Sequence, residues 1–225
     1  MNAMVSERFV SQKKKILIVD DHPIVRRGLA ELLGRQLPLE VREGADNLAD
    51  ALEIIETFRP DLAVIDMSLN DSSGLELIAR IKSDFPATKT LAWSMFDEKM
   101  YAERALQAGA MGYVNKKEPI EHMIDAVRHV LQGNVYLSPY MTSRLLHRAC
   151  GAPAQNGNPL QKLSNRELEV FQMLGNGMTT KQIGRKMKLS PKTIESHREN
   201  IKAKLDLKNA SELNRRAVQW VLENG

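Results

Sequence analysis

Five polar side chains between residues 20 and 116 are of types that can bind or transfer a phosphoryl group. They are Asp20, Asp21, Asp66, Ser94 and Lys116. Three carboxylates repel one another unless a hard divalent cation lies among them, and Mg²⁺ prefers such oxygen ligands. A hydroxyl and an ammonium beside them could bind the oxygens of a phosphoryl group on a carboxylate while charge is neutralised. The residue types therefore favour phosphoryl transfer, provided that the fold brings them together.

Alternating apolar runs and helical patterns between residues 16 and 132 predict such a fold. The predicted strands are Ile16–Val19, Val41–Glu43, Leu62–Ile65, Thr90–Trp93 and Gly112–Val114. The predicted helices between and after them cover residues 23–33, 48–58, 75–83, 98–108 and 120–131. Apolar strands alternating with helices indicate a doubly wound α/β fold with a parallel sheet. All five polar residues follow or end strands, so we expect them at the carboxyl edge of that sheet, where ligands bind.

Each of these residues also has a simpler interpretation when taken alone. Asp21 precedes His22-Pro23 and could be a helix N-cap, because proline is favoured in the first helical turn. Asp66 could be a turn residue or a cap, Ser94 a cap, and Lys116 a solvated side chain. Their occurrence in order on one predicted edge favours the common site.

The C-terminal third carries helix signals and no strand signal. Residues 151–159 are rich in Gly, Pro and Asn and predict a linker, preceded by a helix over residues 140–150. Ser164 and Glu167 form a capping-box pattern, and Gly175-Asn176-Gly177 should end the helix that follows. Further starts are predicted at Thr179, at Ser190-Pro191 for a helix to about Leu205, and at about Ala210 for a final helix to Glu223. This arrangement of short capped helices is typical of an all-α helix-turn-helix domain.

The charge distribution supports nucleic-acid binding by this part. From Pro159 to Gly225 there are thirteen Lys/Arg and seven Asp/Glu, whereas the whole chain has a net charge of only +4. A helix of this length can lie in the major groove of double-stranded DNA. A solvated polar helix face is the alternative that charge alone favours. The candidate DNA-contacting residues are Thr180, Lys181, Lys192, Thr193, Ser196, His197, Asn200 and Lys204.

Composition narrows the class of protein further. The chain of 225 residues suggests two domains, and its apolar runs are too short to cross a bilayer. Met1–Lys15 is polar and basic, which favours a disordered tail over a secretory signal. One cysteine, Cys150, excludes an internal disulfide and a Cys-based zinc finger. We therefore expect a cytoplasmic protein without membrane partners.

Residues 14–132 resemble the receiver domain of response regulators, which has a flavodoxin-like fold. The resemblance is carried by residues 15–22, Asp66, Ser94 and residues 112–116. It implies that Asp66 is the phosphoacceptor and that Asp20, Asp21, Asp66 and the backbone carbonyl of Ser68 hold Mg²⁺. It also implies that Ser94 and Lys116 bind phosphoryl oxygens and that Tyr113 is the aromatic switch residue. Trp93 is bulkier, and Asn115 more polar, than the residues usual at their positions.

Residues 160–222 resemble a LuxR-type helix-turn-helix. The matching segments are residues 163–167, 177–183 and 190–198. Together with the receiver this is the NarL/FixJ architecture, with domains at 14–132 and 160–225 and a connecting helix and linker at 133–159. The resemblance implies a two-component response regulator that takes part in phosphoryl transfer to itself without being a turnover enzyme. Its implied partners are a histidine kinase, double-stranded DNA and, when phosphorylated or on DNA, a second copy of the chain.

Three other functions fit parts of the sequence. A haloacid-dehalogenase-like phosphatase also uses a strand-end aspartate, but it needs a second acid where this chain has Ser68. A LuxR-type regulator that senses a small ligand would need an apolar cavity in place of the acidic pocket. A receiver that is inactive in phosphorylation, with DNA binding independent of phosphate, is disfavoured by the complete set of five polar residues.

Overall fold

The computed structural model describes residues 13–69, 73–150 and 159–224. In the N-terminal unit the strands are β1 (Lys14–Val19), β2 (Leu39–Glu43), β3 (Leu62–Asp66), β4 (Lys89–Ser94) and β5 (Tyr113–Asn115). The helices are α1 (Pro23–Gln36), α2 (Leu48–Phe58), α3 (Gly74–Asp84), α4 (Glu98–Ala108) and α5 (Ile120–Leu131). Strand β1 begins at Lys14, so the predicted N-terminal tail was two residues too long at its end. The remainder of that tail, residues 1–12, lies outside the described residues.

The five strands form one parallel sheet in the order β2-β1-β3-β4-β5. Its side chains alternate between two apolar layers. Leu17 and Val19 belong to the layer beneath α2 to α4, and Ile16 and Ile18 to the layer beneath α1 and α5. This is the predicted doubly wound α/β fold. Because β1, β3 and β4 are adjacent, their carboxyl ends meet at one edge of the sheet, where ligands bind in folds of this class.

Local capping decides where the helices start near that edge. Ser73 caps α3 and Asp97 caps α4, each through a side-chain oxygen that accepts a backbone N–H bond. Helix α1 begins at Pro23 with His22 as N-cap residue and without a side-chain cap bond. Asp21 is therefore not the N-cap that its position before His22-Pro23 allowed, and its carboxylate is left for other use.

The C-terminal part is helical throughout the residues described. It contains α6 (Pro139–Ala149), a 3₁₀ turn (Pro159–Lys162), α7 (Asn165–Gly175), α8 (Thr180–Lys186), α9 (Pro191–Leu205) and α10 (Ala210–Asn224). The predicted caps Ser164, Thr179 and Ser190 are confirmed, the first two as complete capping boxes. The predicted linker lies outside the described residues, apart from Pro159. No helix in the parts of the chain described here is long and apolar enough to span a membrane.

Helix α10 packs inside the C-terminal unit. Leu213, Ala217 and Trp220 are buried, and the rings of Trp220 and Phe171 lie 6.1 Å apart. The face carried by these residues therefore serves the core of the domain. On the other side of α10, Val218 is 40% and Leu222 82% exposed, so any dimer contact by this helix has to use that side.

Candidate functional site

The carboxyl edge of the sheet carries a compact acidic pocket. The Nζ atom of Lys116 lies 2.6 Å from Asp20 Oδ2 and 2.9 Å from Asp66 Oδ2. Potential ligand atoms of Asp20, Asp21, His22 and Asp66 all lie within 4.8 Å of one another. The structure thus brings together the carboxylates and the ammonium that were picked out from three separate strand ends.

Burial governs the electrostatics of this pocket. Asp20 is fully buried and Asp66 is 3% exposed. Burial raises the pKa of Asp66 to about 6, with Asp20 adding to the rise and Lys116 opposing it. Burial lowers the pKa of Lys116, but the two carboxylates outweigh it and hold that pKa above its ordinary value. The pocket therefore contains more negative charge than its own ammonium neutralises.

The donor set fits a magnesium ion. Asp21 Oδ1 is buried and makes no well-directed hydrogen bond among the residues described, although His22 Nδ1 lies 2.6 Å away. A buried carboxylate oxygen in this state is costly unless a cation compensates it. Oxygen ligands from Asp20, Asp21 and Asp66 are those that Mg²⁺ prefers. A backbone carbonyl at Ser68 is of the same kind.

The side chains of Ser94 and Tyr113 contact the loop that follows β4 rather than the carboxylates. Ser94 Oγ accepts a hydrogen bond from the backbone N–H of Phe96 at 3.1 Å. The carbonyl of Phe96 accepts from Tyr113 Oη at 2.7 Å and from Asn115 Nδ2 at 2.9 Å. Burial raises the pKa of Tyr113, so its hydroxyl stays a donor. Three side chains therefore fix the backbone of Phe96, and Asn115, noted in the sequence only for its polarity, is one of them.

Two further residues support the pocket. The ring of Trp93 lies 4.9 Å from the ammonium of Lys116, within range of a cation–π interaction. Arg26 on α1 donates from Nη1 to the carbonyl of Asp20 at 2.6 Å. Sequence reasoning missed Arg26 and His22, although His22 directly follows the two aspartates. A polar residue on the buried side of α1 was the available signal for Arg26.

The predicted DNA-contacting residues lie on α8 and α9. Lys181, Lys192, Ser196 and Asn200 are exposed, and Thr180, Thr193 and His197 are half-buried. The hydroxyl of Thr180 donates to Glu195 and accepts from Arg198, both at 2.8 Å. Glu195 is thereby engaged within the protein, which reduces its repulsion of a phosphate backbone.

Lys204 differs from the other candidates. Its ammonium lies 2.6 Å from Glu167 Oε2 on α7. Burial raises the pKa of Glu167, but bonds from Lys204 and Ser164 outweigh it, so that the pKa lies below its ordinary value. Lys204 thus connects α9 to the first turn of α7. To reach DNA it would have to leave this partner.

Comparisons with known proteins agree with both halves of this structure. Residues 16–128 match the family described as response regulator receiver domain, and residues 161–217 match bacterial regulatory proteins, luxR family. The oxygen regulatory protein NreC of Staphylococcus carnosus is 37% identical over 88% of this chain and 94% of its own length.

Solved structures give the same fold. RcsB of Salmonella enterica serovar Typhimurium, bound to promoter rprA in the presence of phosphomimetic BeF3-, aligns with a TM-score of 0.61 and 24% identity over 90% of this chain and 97% of its own. A LuxR-family two-component response regulator from Aurantimonas aligns with a TM-score of 0.57 and 29% identity, covering 61% of this chain and 99% of its own. The two family matches and the likeness to NreC show that the chain belongs to the NarL/FixJ family of two-component response regulators, which control DNA binding and transcription.

Proposed function

We propose that Asp66 is the residue of this regulator that accepts a phosphoryl group from a phosphohistidine of a histidine kinase. A carboxylate oxygen of Asp66 forms the new bond to phosphorus, the phosphorus–nitrogen bond breaks, and the freed imidazole nitrogen takes up a proton. The observation that carries this proposal is the position of the Asp66 carboxylate, 2.9 Å from Lys116 and buried beside two further aspartates. Phosphoryl-transfer sites act mainly by positioning and by neutralising charge. The chain modifies itself in this step and is not a turnover enzyme.

Mg²⁺ is the ion that this pocket would hold. Its ligands would be Asp20, Asp21, Asp66 and the backbone carbonyl of Ser68. The bound ion would neutralise charge on the phosphoryl oxygens. Asp20 Oδ2 also accepts a hydrogen bond from the Lys116 ammonium, so Asp20 orients the lysine towards Asp66.

Ser94, Tyr113 and Lys116 would respond to the phosphoryl group. Lys116 is already at Asp66 and would bind one phosphoryl oxygen. Ser94 would turn its hydroxyl towards another and give up its bond from the Phe96 N–H. Tyr113 would follow the loop that its hydroxyl holds at the Phe96 carbonyl. This is a shift between two states of the receiver domain, and the phosphoryl group favours one of them.

The C-terminal unit would bind double-stranded DNA through α8 and α9. We assign domains at 14–132 and 160–225, joined by 133–159, and expect two copies of the chain to bind paired half-sites in the cytoplasm. The exposed basic and polar side chains of the two helices support this role. The residues proposed for DNA contact are Thr180, Lys181, Lys192, Thr193, Ser196, His197, Asn200 and Lys204.

One experiment tests the regulatory step. Binding of genomic DNA fragments is compared for wild type and Asp66→Ala, each with and without acetyl phosphate and Mg²⁺. We expect acetyl phosphate to strengthen DNA binding of the wild type and to leave Asp66→Ala unchanged. Equal binding in all four conditions would contradict control by phosphorylation while leaving DNA binding intact.

A further inference from the structure

Helix α4 of the receiver domain holds the C-terminal unit through Arg104. Its guanidinium donates to Asn165 Oδ1 at 2.8 Å, to the carbonyl of Leu163 at 2.8 Å and to that of Leu160 at 3.3 Å. Burial lowers the pKa of Arg104, but an arginine stays charged at neutral pH. Hydrogen bonds from a charged donor are roughly twice as strong as neutral ones. One side chain of α4 therefore fixes the start of α7.

A second row of contacts lies closer to the phosphoacceptor pocket. Tyr101 is buried, stacks on Phe96 at 4.4 Å, and its hydroxyl lies 3.4 Å from Gln172 Oε1 on α7. Glu169 of α7 is 6% exposed and hydrogen-bonds to Ser73 at the start of α3. The apolar core is continuous across this contact. Helix α7 thus contacts the receiver through Asn165, Glu169 and Gln172.

This packing places the C-terminal unit over the acidic pocket. A small cavity at the mouth is lined from the receiver by Asp21, Ser68 and Leu69, and from α7 and α8 by Arg166, Glu169, Met173, Lys186 and Met187. The side chain of Asp66 behind it is 4% exposed. A phosphodonor has to bring its phosphorus to that carboxylate in line with the bond that breaks. The cavity has a volume of only about 20 Å³, so the closed arrangement leaves no room for a phosphodonor, whether a protein or a small molecule, to do so.

The same packing leaves the recognition helix open. Lys192, Glu195, Ser196 and Asn200 on the outer side of α9 are exposed. The surface covered by the interdomain contact is therefore the surface around Asp66, and the outer side of α9 is free of it.

We propose that α7 and α8 cover the face through which any phosphodonor, protein or small molecule, reaches Asp66, so that the C-terminal unit and the donor compete for one surface of the receiver domain. The proposal rests on Asp66 being the phosphoacceptor. Only the fraction of molecules in which the two units have separated accepts the phosphoryl group. The apparent phosphorylation rate is therefore proportional to that fraction. Arg104 is one of the contacts that set this fraction.

The test uses full-length protein with Mg²⁺ and acetyl phosphate. Asp66 attacks the phosphorus of this donor and acetate leaves, so the initial rate is the gain of one phosphoryl mass with time. The variants are Arg104→Ala and Asn165→Ala. Each removes one partner of the hydrogen bond between Arg104 and Asn165. Arg80→Ala is the matched control, because Arg80 is an exposed arginine of α3 bound to Asp84 on the same helix. Thermal unfolding checks each fold, and Asn165→Ala decides if Arg104→Ala does not fold.

We expect Arg104→Ala to be phosphorylated about tenfold faster than wild type, the effect of losing a charged hydrogen-bond donor. Asn165→Ala leaves the two carbonyl acceptors in place and should accelerate the reaction about two- to threefold. Arg80→Ala should match wild type. Equal initial rates for wild type and both interface variants, with phosphoryl groups present on all, would overturn the competition. A phosphoryl group gained by Asp66→Ala at the wild-type rate in the same assay would instead overturn Asp66 as the phosphoacceptor.

Discussion

Lys116 balances the acidic pocket at the scale of single residues. Its ammonium bonds to both Asp20 and Asp66, and all three side chains are at least nine-tenths buried. Removing one member of a buried charged set leaves the others uncompensated, which costs more than the pair contributes in net terms. The role of this lysine should therefore be visible in stability as well as in phosphorylation.

Lys116→Met tests this balance. Without Mg²⁺ we expect the free energy of unfolding to fall by about 3 kcal/mol, because two buried carboxylates lose their cation. Added Mg²⁺ should restore more stability to the variant than to wild type, since the ammonium no longer competes with the ion for the same oxygens. Denaturant unfolding with and without Mg²⁺ measures both effects. An identical Mg²⁺ response in the two proteins would contradict the competition between ammonium and metal.

Much of this pocket was predictable from the sequence, and the reason is geometric. Asp20, Asp66 and Ser94 end or follow strands of a parallel sheet, and parallel strands bring such positions to one edge. The contact of Lys204 with Glu167 was not predictable, because hydrophobic periodicity places a helix face but does not pair polar side chains on different helices. The closeness of Glu169 to Ser73 was hidden for the same reason.

At the scale of elements, α9 carries two kinds of lysine. Lys192 is exposed at the N-terminal end of the helix, whereas Lys204 is held by Glu167 near its other end. Only a lysine that neutralises a phosphate contributes to the salt dependence of DNA binding. The two side chains should therefore separate into one that contacts DNA strongly and one that mainly stabilises the domain.

Lys192→Ala and Lys204→Ala form a matched pair for this point. We expect Lys192→Ala to reduce the slope of log affinity against log salt concentration by about 0.9 and to leave the melting temperature unchanged. Lys204→Ala should change that slope less and lower the melting temperature more. DNA binding over a salt series, with thermal unfolding of both variants, gives the comparison. A larger loss of slope in Lys204→Ala would show that this lysine leaves Glu167 to bind phosphate.

The contact between α7 and α10 depends on a glycine. A Cβ atom at Gly175 would lie 2.4 Å from the carbonyl oxygen of Ala217 and 2.5 Å from Val221 Cγ2. Gly175→Ala should therefore force the helices apart and lower the free energy of unfolding by about 1–3 kcal/mol. Gly28→Ala on α1 is the control, because a Cβ there meets nothing within 4 Å and should stabilise the protein by about 0.5–1 kcal/mol. Similar effects of both substitutions would contradict the close approach of α7 to α10.

At the scale of the whole molecule, a buried carboxylate lies at the contact between the two domains. Glu169 bonds to Arg166 within α7 and faces Ser73 of the receiver, and burial raises its pKa in spite of Arg166. A group whose pKa is raised in the folded state is better accommodated when protonated. Its contribution to stability is present at low pH and is lost as the pH rises from the ordinary carboxyl value through the raised one.

Glu169→Gln should remove this dependence. At pH 8 we expect the variant to be more stable than wild type and to be phosphorylated more slowly, because the packed arrangement no longer holds a buried charge. Near pH 4 the two proteins should have similar stability. Unfolding by urea over this pH range measures the difference, and Glu56→Gln, an exposed position on α2, is the control. A stability difference that does not change with pH would contradict the buried charge.

The relative placement of the domains lay beyond the sequence for a physical reason. Arg104 binds groups 56 to 61 residues away along the chain, two of them backbone carbonyls. Backbone acceptors exist at every position, so no residue type marks them. Each domain could be predicted from its own periodicity and caps, whereas their contact depends on a few polar bonds between surfaces with no repeating pattern.

The choice of acceptors by Arg104 also bears on how such proteins diversify by recombination. Two of the three hydrogen bonds of Arg104 go to main-chain oxygens. A foreign C-terminal module joined at this point would therefore keep those two bonds if its backbone followed the same path. Chimeric regulators built on this receiver would then inherit its control over access to Asp66, whatever operator the new module recognises.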